Sequence, residues 1–303
     1  MKIKSTFMAP FLVIAVLLLF SVSRYIDLDA LAYRENICLA VIVLQLLILM
    51  VPCAFYTKLK GEGFIKKLRL VPFGIEKLLV TLLATVALIL GDILLKLALF
   101  NLGIIDGEHS IYYFYLNGTD PGVLYSLVTF ALVPAVCEEL LFRSLLCAEY
   151  ESHGVVTAAV ASALLYSMFG MSFGYFPIYL FAGLMFVLVM YITRSVFASM
   201  ICHVIYSVFD LAAGETVRTV ITKPQSTGFL IFAVAGLFLL CLVALFGECE
   251  KIYYNYSLSG KTADYVKDKT GFTPKAFAAA LLAPPFLVCI LIFVVSAIQL
   301  GGY

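Results

Sequence analysis

The chain has 303 residues, 63% of them hydrophobic and only 13% charged, with a formal net charge of +1 and a mean hydropathy of +1.07. These proportions lie far outside the balance of a soluble domain and indicate an all-α, polytopic transmembrane bundle. The near-neutral charge leaves no basic footprint for nucleic acid. The eight cysteines, none in a C-x-x-C pair, read as small hydrophobes rather than disulfides or metal ligands.

In chain order, Met1-Lys-Ile-Lys leads into an apolar run from about Phe7 to Val22. No small-residue cleavage site follows it, so it is expected to stay as a first span rather than be removed as a signal. A second run extends from about Ile37 to Tyr56, followed by Lys58, Lys60, Lys66, Lys67, Arg69 and Lys77 against only Glu62 and Glu76. That excess of basic residues marks a cytoplasmic loop. A third run, about Leu78 to Phe100, carries Asp92 and Lys96, whose i, i+4 spacing makes a local ion pair that lets both charges sit in lipid. The loop after it holds Asp106, Glu108, His109 and Asp120 with no Lys or Arg, as expected on the far side.

Six further runs follow: about Val123 to Cys147, Val155 to Phe169, Phe176 to Ile192, Val196 to Ala212, Phe229 to Phe246, and Lys275 to Leu300 with a break at Pro284-Pro285. The fifth run, with Ala158, Ala159, Ala161, Ser162 and Ala163, suits close helix packing. Glu248 to Gly271 reads as a solvated cytoplasmic loop. With the amino terminus inside, the basic loop and Arg194 both fall on the cytoplasmic side. The sequence thus predicts about eight to nine spans in the cell membrane. Three leading helices and the basic loop occupy 1–120, a four-helix core 121–211, and two trailing helices with a polar loop 212–303, with no internal repeat.

The chemistry concentrates in Pro134-Ala-Val-Cys-Glu138-Glu139-Leu-Leu-Phe-Arg143. Each ionised group there costs on the order of 3 kcal/mol in a bilayer unless it is paired or functional. Glu139 and Arg143 lie four apart on one helix face, while Glu138 points about 100° away. Glu139 is therefore read as the partner of Arg143, and Glu138 as the carboxylate left free to act. Pro134 cannot donate to its helix and is expected to kink it just before Glu138. His203, Ser207 and Asp210 share one face of the seventh run, and that face is expected to meet the polar face of the fourth. Spacing alone also fits a buried packing network with no chemistry.

These residues resemble the CAAX protease and bacteriocin-processing family of intramembrane endopeptidases, similar to the type II CAAX prenyl endopeptidase. The likeness rests on Glu138-Glu139-Leu-Leu-Phe-Arg143, on the aromatic-rich run ending Tyr166-Ser-Met-Phe-Gly170, and on His203-Val-Ile-Tyr-Ser207, and it covers about Pro121 to Leu211. It implies that Glu138 polarises a water for attack on a peptide carbonyl, and that His203 stabilises the oxyanion. Two motif positions depart from the family. Gly170 stands where a water-positioning histidine is usual, with neither Tyr166 nor Ser172 an evident equivalent, and Ser207 stands where an asparagine is usual. Counted from the turn near Glu151-Ser-His-Gly154, Glu138 and Gly170 differ in depth by only about 3 Å, so glycine is expected to leave an empty or water-filled space beside Glu138.

No cofactor is expected, because zinc wants about three protein ligands and only Glu138 and His203 are well placed. The implied partners are membrane lipids and a hydrophobic or lipidated peptide, cut at the cytoplasmic leaflet. The alternative is a catalytically degenerate relative that binds such a peptide as an immunity or scaffold protein. Transport through Asp92, Lys96 and Glu138 is a weaker third reading, since no repeated halves are visible.

Overall fold

The computed structural model describes residues 5–23, 25–26, 33–105, 122–222, 227–259 and 273–300. Among these, every regular element is a helix: α1 (Ser5–Ser23), α2 (Glu35–Lys60), α3 (Leu78–Asn101), α4 (Val123–His153), α5 (Val155–Phe169), α6 (Phe176–Thr193), α7 (Val196–Thr222), α8 (Thr227–Leu258), α9 (Pro274–Leu281) and α10 (Pro284–Leu300). All nine apolar runs of the sequence are helical, and the protein is an all-helical, multi-pass membrane protein.

The span count is corrected downward. Among the described residues, α2, α3, α4, α6, α7 and α8 are long and apolar enough to cross, with a seventh span if α9 and α10, bent by 54°, count as one. With 15 residues, α5 reaches only about 22 Å, short of the roughly 30 Å hydrocarbon core. It is enclosed instead, with Ala158, Ala161 and Ala163 at 0% exposure, packed against α4 and α6. Small side chains let those neighbours close over it. The short α1 packs against α10 and buries Ala9, Val16 and Leu17.

Pro134 does not break its helix. The turn before it, Val128–Leu132, widens into a π-helical stretch. This wider turn accommodates the missing N–H and the ring that would otherwise press on the preceding carbonyl. The same arrangement recurs in α2, where the π stretch Leu46–Met50 precedes Pro52. A third π stretch, Leu140–Leu146, begins directly after Glu139.

The basic segment after α2 is a strap rather than a free loop. Lys60 Nζ lies 2.7 Å from Glu149, and Arg69 pairs with Glu151 while its guanidinium lies over Tyr191, 4.9 Å from the ring centroid. The Val196 N–H donates to the Arg69 carbonyl at 3.1 Å, Ser144 Oγ to the Leu68 carbonyl at 2.7 Å, and Lys77 Nζ to the Thr193 carbonyl at 3.1 Å. Together these contacts tie the ends of α4, α6 and α7 into one face. On that face Arg194 sits over Tyr256 at 3.7 Å, and the Tyr256 hydroxyl donates to the Ile192 carbonyl at 2.9 Å. The part of the expected polar loop from Glu248 to Leu258 is therefore helical, the end of α8, with Ile252 and Tyr256 buried. The rest of that loop (260–271), the initial Met1–Lys4 and the acidic stretch with Asp106, Glu108, His109 and Asp120 lie outside the described residues.

Candidate active site

Four helices converge on the Glu138-Glu139 pair. Glu139, 0% exposed, is a hub: its Oε1 lies 3.1 Å from Arg143 Nη1 and 3.0 Å from His203 Nδ1, and its Oε2 accepts a hydrogen bond from Ser199 Oγ. Arg143 is likewise 0% exposed. Its guanidinium covers the ring face of Tyr166 at 4.2 Å and that of Phe186 at 4.9 Å, and its Nη2 donates to the Gly183 carbonyl at 3.4 Å. Nε and Nη1 lack a well-aligned hydrogen bond, so ring faces and the facing carboxylate, rather than a bidentate fork, hold this cation.

His203 is fixed on three sides. Its ring stacks on Phe186 at 4.5 Å and 20° and meets Tyr166 edge-on at 6.2 Å. A carboxylate only accepts, so Nδ1 must carry the proton it shares with Glu139. That turns Nε2 toward Glu138, whose Oε2 lies 4.0 Å away.

Exposure around the site runs one way. On α4 every residue from Leu141 to Tyr150, toward the basic strap, is buried, and on α7 so are Ser199, Cys202 and His203. Glu138 has a side-chain exposure of 14%, and every α7 residue from Val204 to Leu211 is partly exposed. The reactive edge therefore opens away from the strap.

The polar stripe of α7 divides between two neighbours. Ser199 and His203 meet α4, but Asp210 meets α3: Lys96 Nζ lies 3.2 Å from Asp210 and 2.8 Å from Asp92, and the Tyr206 hydroxyl donates to Asp92 at 3.1 Å. Residues seven apart share a face, but crossing helices change neighbours along their length, so one stripe serves two partners. No hydrogen bond joins Ser207 to either glutamate among the described residues. At Gly170 the expected open space is absent. A Cβ built there would fall 2.4 Å from Cδ2 and Cε2 of Tyr179, so an aromatic ring from α6 fills it. The sequence reading does not single out Ser199, one turn before His203, and sets Tyr166, one turn before Gly170, aside as no evident equivalent of the missing histidine, yet both line the buried network. Among the described residues, no group of three or more His, Cys, Asp or Glu side chains is arranged to hold a metal ion.

A buried Glu-Glu-x-x-x-Arg helix facing a histidine on a second membrane helix defines the class of intramembrane glutamate–histidine sites. Within it, residues 120–209 match the family model described as Rce1-like, type II CAAX prenyl endopeptidase Rce1-like. That stretch, α4 through the first half of α7, is similar to this family's domain, in keeping with the CAAX protease resemblance of its motifs. No curated protein and no solved structure matches the chain.

Proposed function

We propose that the protein is an intramembrane endopeptidase in which Glu138 activates a water to hydrolyse a peptide bond of a hydrophobic or lipidated peptide. The observation that carries this reading is the 4.0 Å gap between Glu138 Oε2 and His203 Nε2 at the partly exposed edge of an otherwise buried network. A water with hydrogen-bond legs of about 2.8 Å bridges such a gap. Ionised Glu138 takes a proton from that water as its oxygen attacks the carbonyl carbon, and protonated His203 donates from Nε2 to the oxyanion that develops. Collapse breaks the C–N bond, and the proton on Glu138 passes to the leaving amine. Glu139 holds the imidazole in the donor orientation, as a carboxylate does for other catalytic histidines. Ser207, one turn beyond His203, offers a second hydroxyl donor.

The basic strap is assigned to the cytoplasm on its excess of Lys and Arg. Glu138 then lies about 9 Å inward of Ser144 by helix rise, in the cytoplasmic half of the bilayer, with its exposed edge turned toward the membrane interior. A lipid-borne or apolar peptide can reach such an edge within the bilayer. The Tyr179 ring against Gly170 favours one second reading, a relative that binds such a peptide without cutting it.

The test uses the purified full chain in lipid nanodiscs with internally quenched peptides. One set ends in a farnesylated cysteine followed by three residues, and the other is the same peptide unprenylated. Glu138→Gln keeps the shape and removes the base, so cleavage should fall by at least about a hundredfold. Cleavage unchanged in Glu138→Gln rejects the mechanism, and no cleavage by wild type, with the peptides still bound, selects the binding reading.

A further inference from the structure

The strap joining α2 to α3 has an inner and an outer side. Inward, Lys60 pairs with Glu149 and Arg69 with Glu151, and Phe64 and Leu68 are buried. At Arg69 the backbone takes a left-handed φ of 53°, uncommon for a residue with a Cβ. There the chain changes sides: Leu68 and Arg69 are buried, whereas Leu70 and Val71 are exposed. Ile65 is exposed as well, and Ile75 reaches 80%. Interleaved with these aliphatic residues are Lys58, Lys66 and Lys67, all exposed. None of the three forms an ion pair among the described residues, and the exposed acids of the segment are only Glu62 and Glu76. The outer side is nevertheless held in place. Ser144 Oγ donates to the Leu68 carbonyl, the Val196 N–H to the Arg69 carbonyl and Ser195 Oγ to the Val71 carbonyl. These bonds fix it where α4 nears its end and α7 begins, and Ile75 stands one turn before α3 starts at Leu78. Apolar spans end at the boundary between hydrocarbon and headgroups, so the strap lies at that level. Water there leaves the aliphatic side chains solvated, and hydrocarbon strips the lysines. An interface suits both.

We propose that the outer side of the strap is a binding surface for anionic lipid headgroups of the cytoplasmic leaflet. Leu70, Val71 and Ile75, with Ile65, enter the boundary between headgroups and acyl chains. Lys58, Lys66 and Lys67 extend their ammonium groups to the lipid phosphates. Charge complementarity selects this occupant, since the inner cations already have carboxylate partners and the outer ones have none within the described chain. The inference is independent of the chemistry at Glu138. It makes the strap a lipid-anchored element rather than a solvated loop, bonded through Leu68 to Ser144, the neighbour of Arg143.

The chain contains no tryptophan, so Val71→Trp and Ile75→Trp, each made alone in the full chain, supply a single fluorescent reporter. The variants are placed in nanodiscs of phosphatidylcholine with a minor share of phosphatidylglycerol, and a melt checks that each is folded. Bromine is carried on the acyl chains of an equal amount of one lipid or the other. Both reporters should emit in the blue, resist aqueous acrylamide and be quenched by brominated lipid. A lysine near an anionic surface favours it about fivefold, and Glu62 and Glu76 offset part of that. Brominated phosphatidylglycerol should therefore quench at least about threefold more than brominated phosphatidylcholine. Adding Lys66→Gln and Lys67→Gln should at least halve that ratio at unchanged Tm. Red emission open to acrylamide makes the strap a solvated loop and overturns the proposal. Blue emission without bromine quenching means that protein, such as a second copy of the chain, covers the face, and overturns it too. Equal quenching by the two lipids, or a ratio unmoved by the lysine substitutions, rejects headgroup recognition.

Discussion

Glu139→Gln offers the sharpest check on how the charges are arranged, because the structure assigns this side chain three partners and no solvent. The substitution keeps the shape but removes the charge facing Arg143, which is itself 0% exposed. A buried ion pair broken from one side costs about 3–5 kcal/mol, because the remaining charge is left uncompensated. Ring faces of Tyr166 and Phe186 retain part of the stabilisation, about 1–2 kcal/mol for a desolvated cation–π contact, so a loss near 3 kcal/mol is expected. At about 2–4 °C per kcal/mol for a chain of this size class, that lowers Tm by roughly 10 °C. Glu138→Gln, whose partner is His203 at 4.0 Å rather than Arg143, should stay within about 2 °C of wild type. Adding Arg143→Met to Glu139→Gln removes the orphaned cation and should recover much of the loss. The assay is a thermal melt of purified protein in one detergent, read by fluorescence of a thiol-independent dye. A Glu139→Gln variant as stable as wild type, or a double variant weaker than the single one, refutes the assignment of Glu139 as the counter-charge.

Two further outcomes follow from the same geometry. Single cysteines at Lys66 and Gly103, in a background lacking the native eight, should label from opposite sides of the membrane with an impermeant reagent, position 66 from the cytoplasm; equal labelling in intact cells contradicts the alternation. Gly170→His alone should lower stability, since its Cβ would meet the Tyr179 ring at 2.4 Å, whereas combining it with Tyr179→Ala should restore folding and raise peptide cleavage above the parent; a stable and more active single variant would show that the ring yields freely.

The strap lies beside the site and limits access from that side. Its contacts with Ser144, Thr193, Ser195 and Val196 close the end of the bundle next to Arg143. The partly exposed stretch of α7 lies at the other end. Lys96, held between Asp92 and Asp210, joins α3 to that stretch, so the segment outside the family match braces both ends of the domain.

Local spacing made part of this legible in the sequence. Length and hydropathy determined an all-helical membrane protein, since backbone groups in lipid must be satisfied within the chain. Four-residue spacing determined that Glu139 can reach Arg143 and Asp92 can reach Lys96, because neighbours on one helix face are fixed by 3.6 residues per turn. What sequence spacing does not contain is which helix lies opposite. Thus the α7 stripe looked uniform, yet His203 turns to α4 and Asp210 to α3, because crossing angles are set by packing. The length of an apolar run likewise does not reveal whether lipid or protein surrounds it, so α5 resembled a span although its neighbours enclose it. A glycine signals a missing side chain but not what fills its place, and only the tertiary structure put the ring of Tyr179 against Gly170 and the ring of Tyr166 under the guanidinium of Arg143.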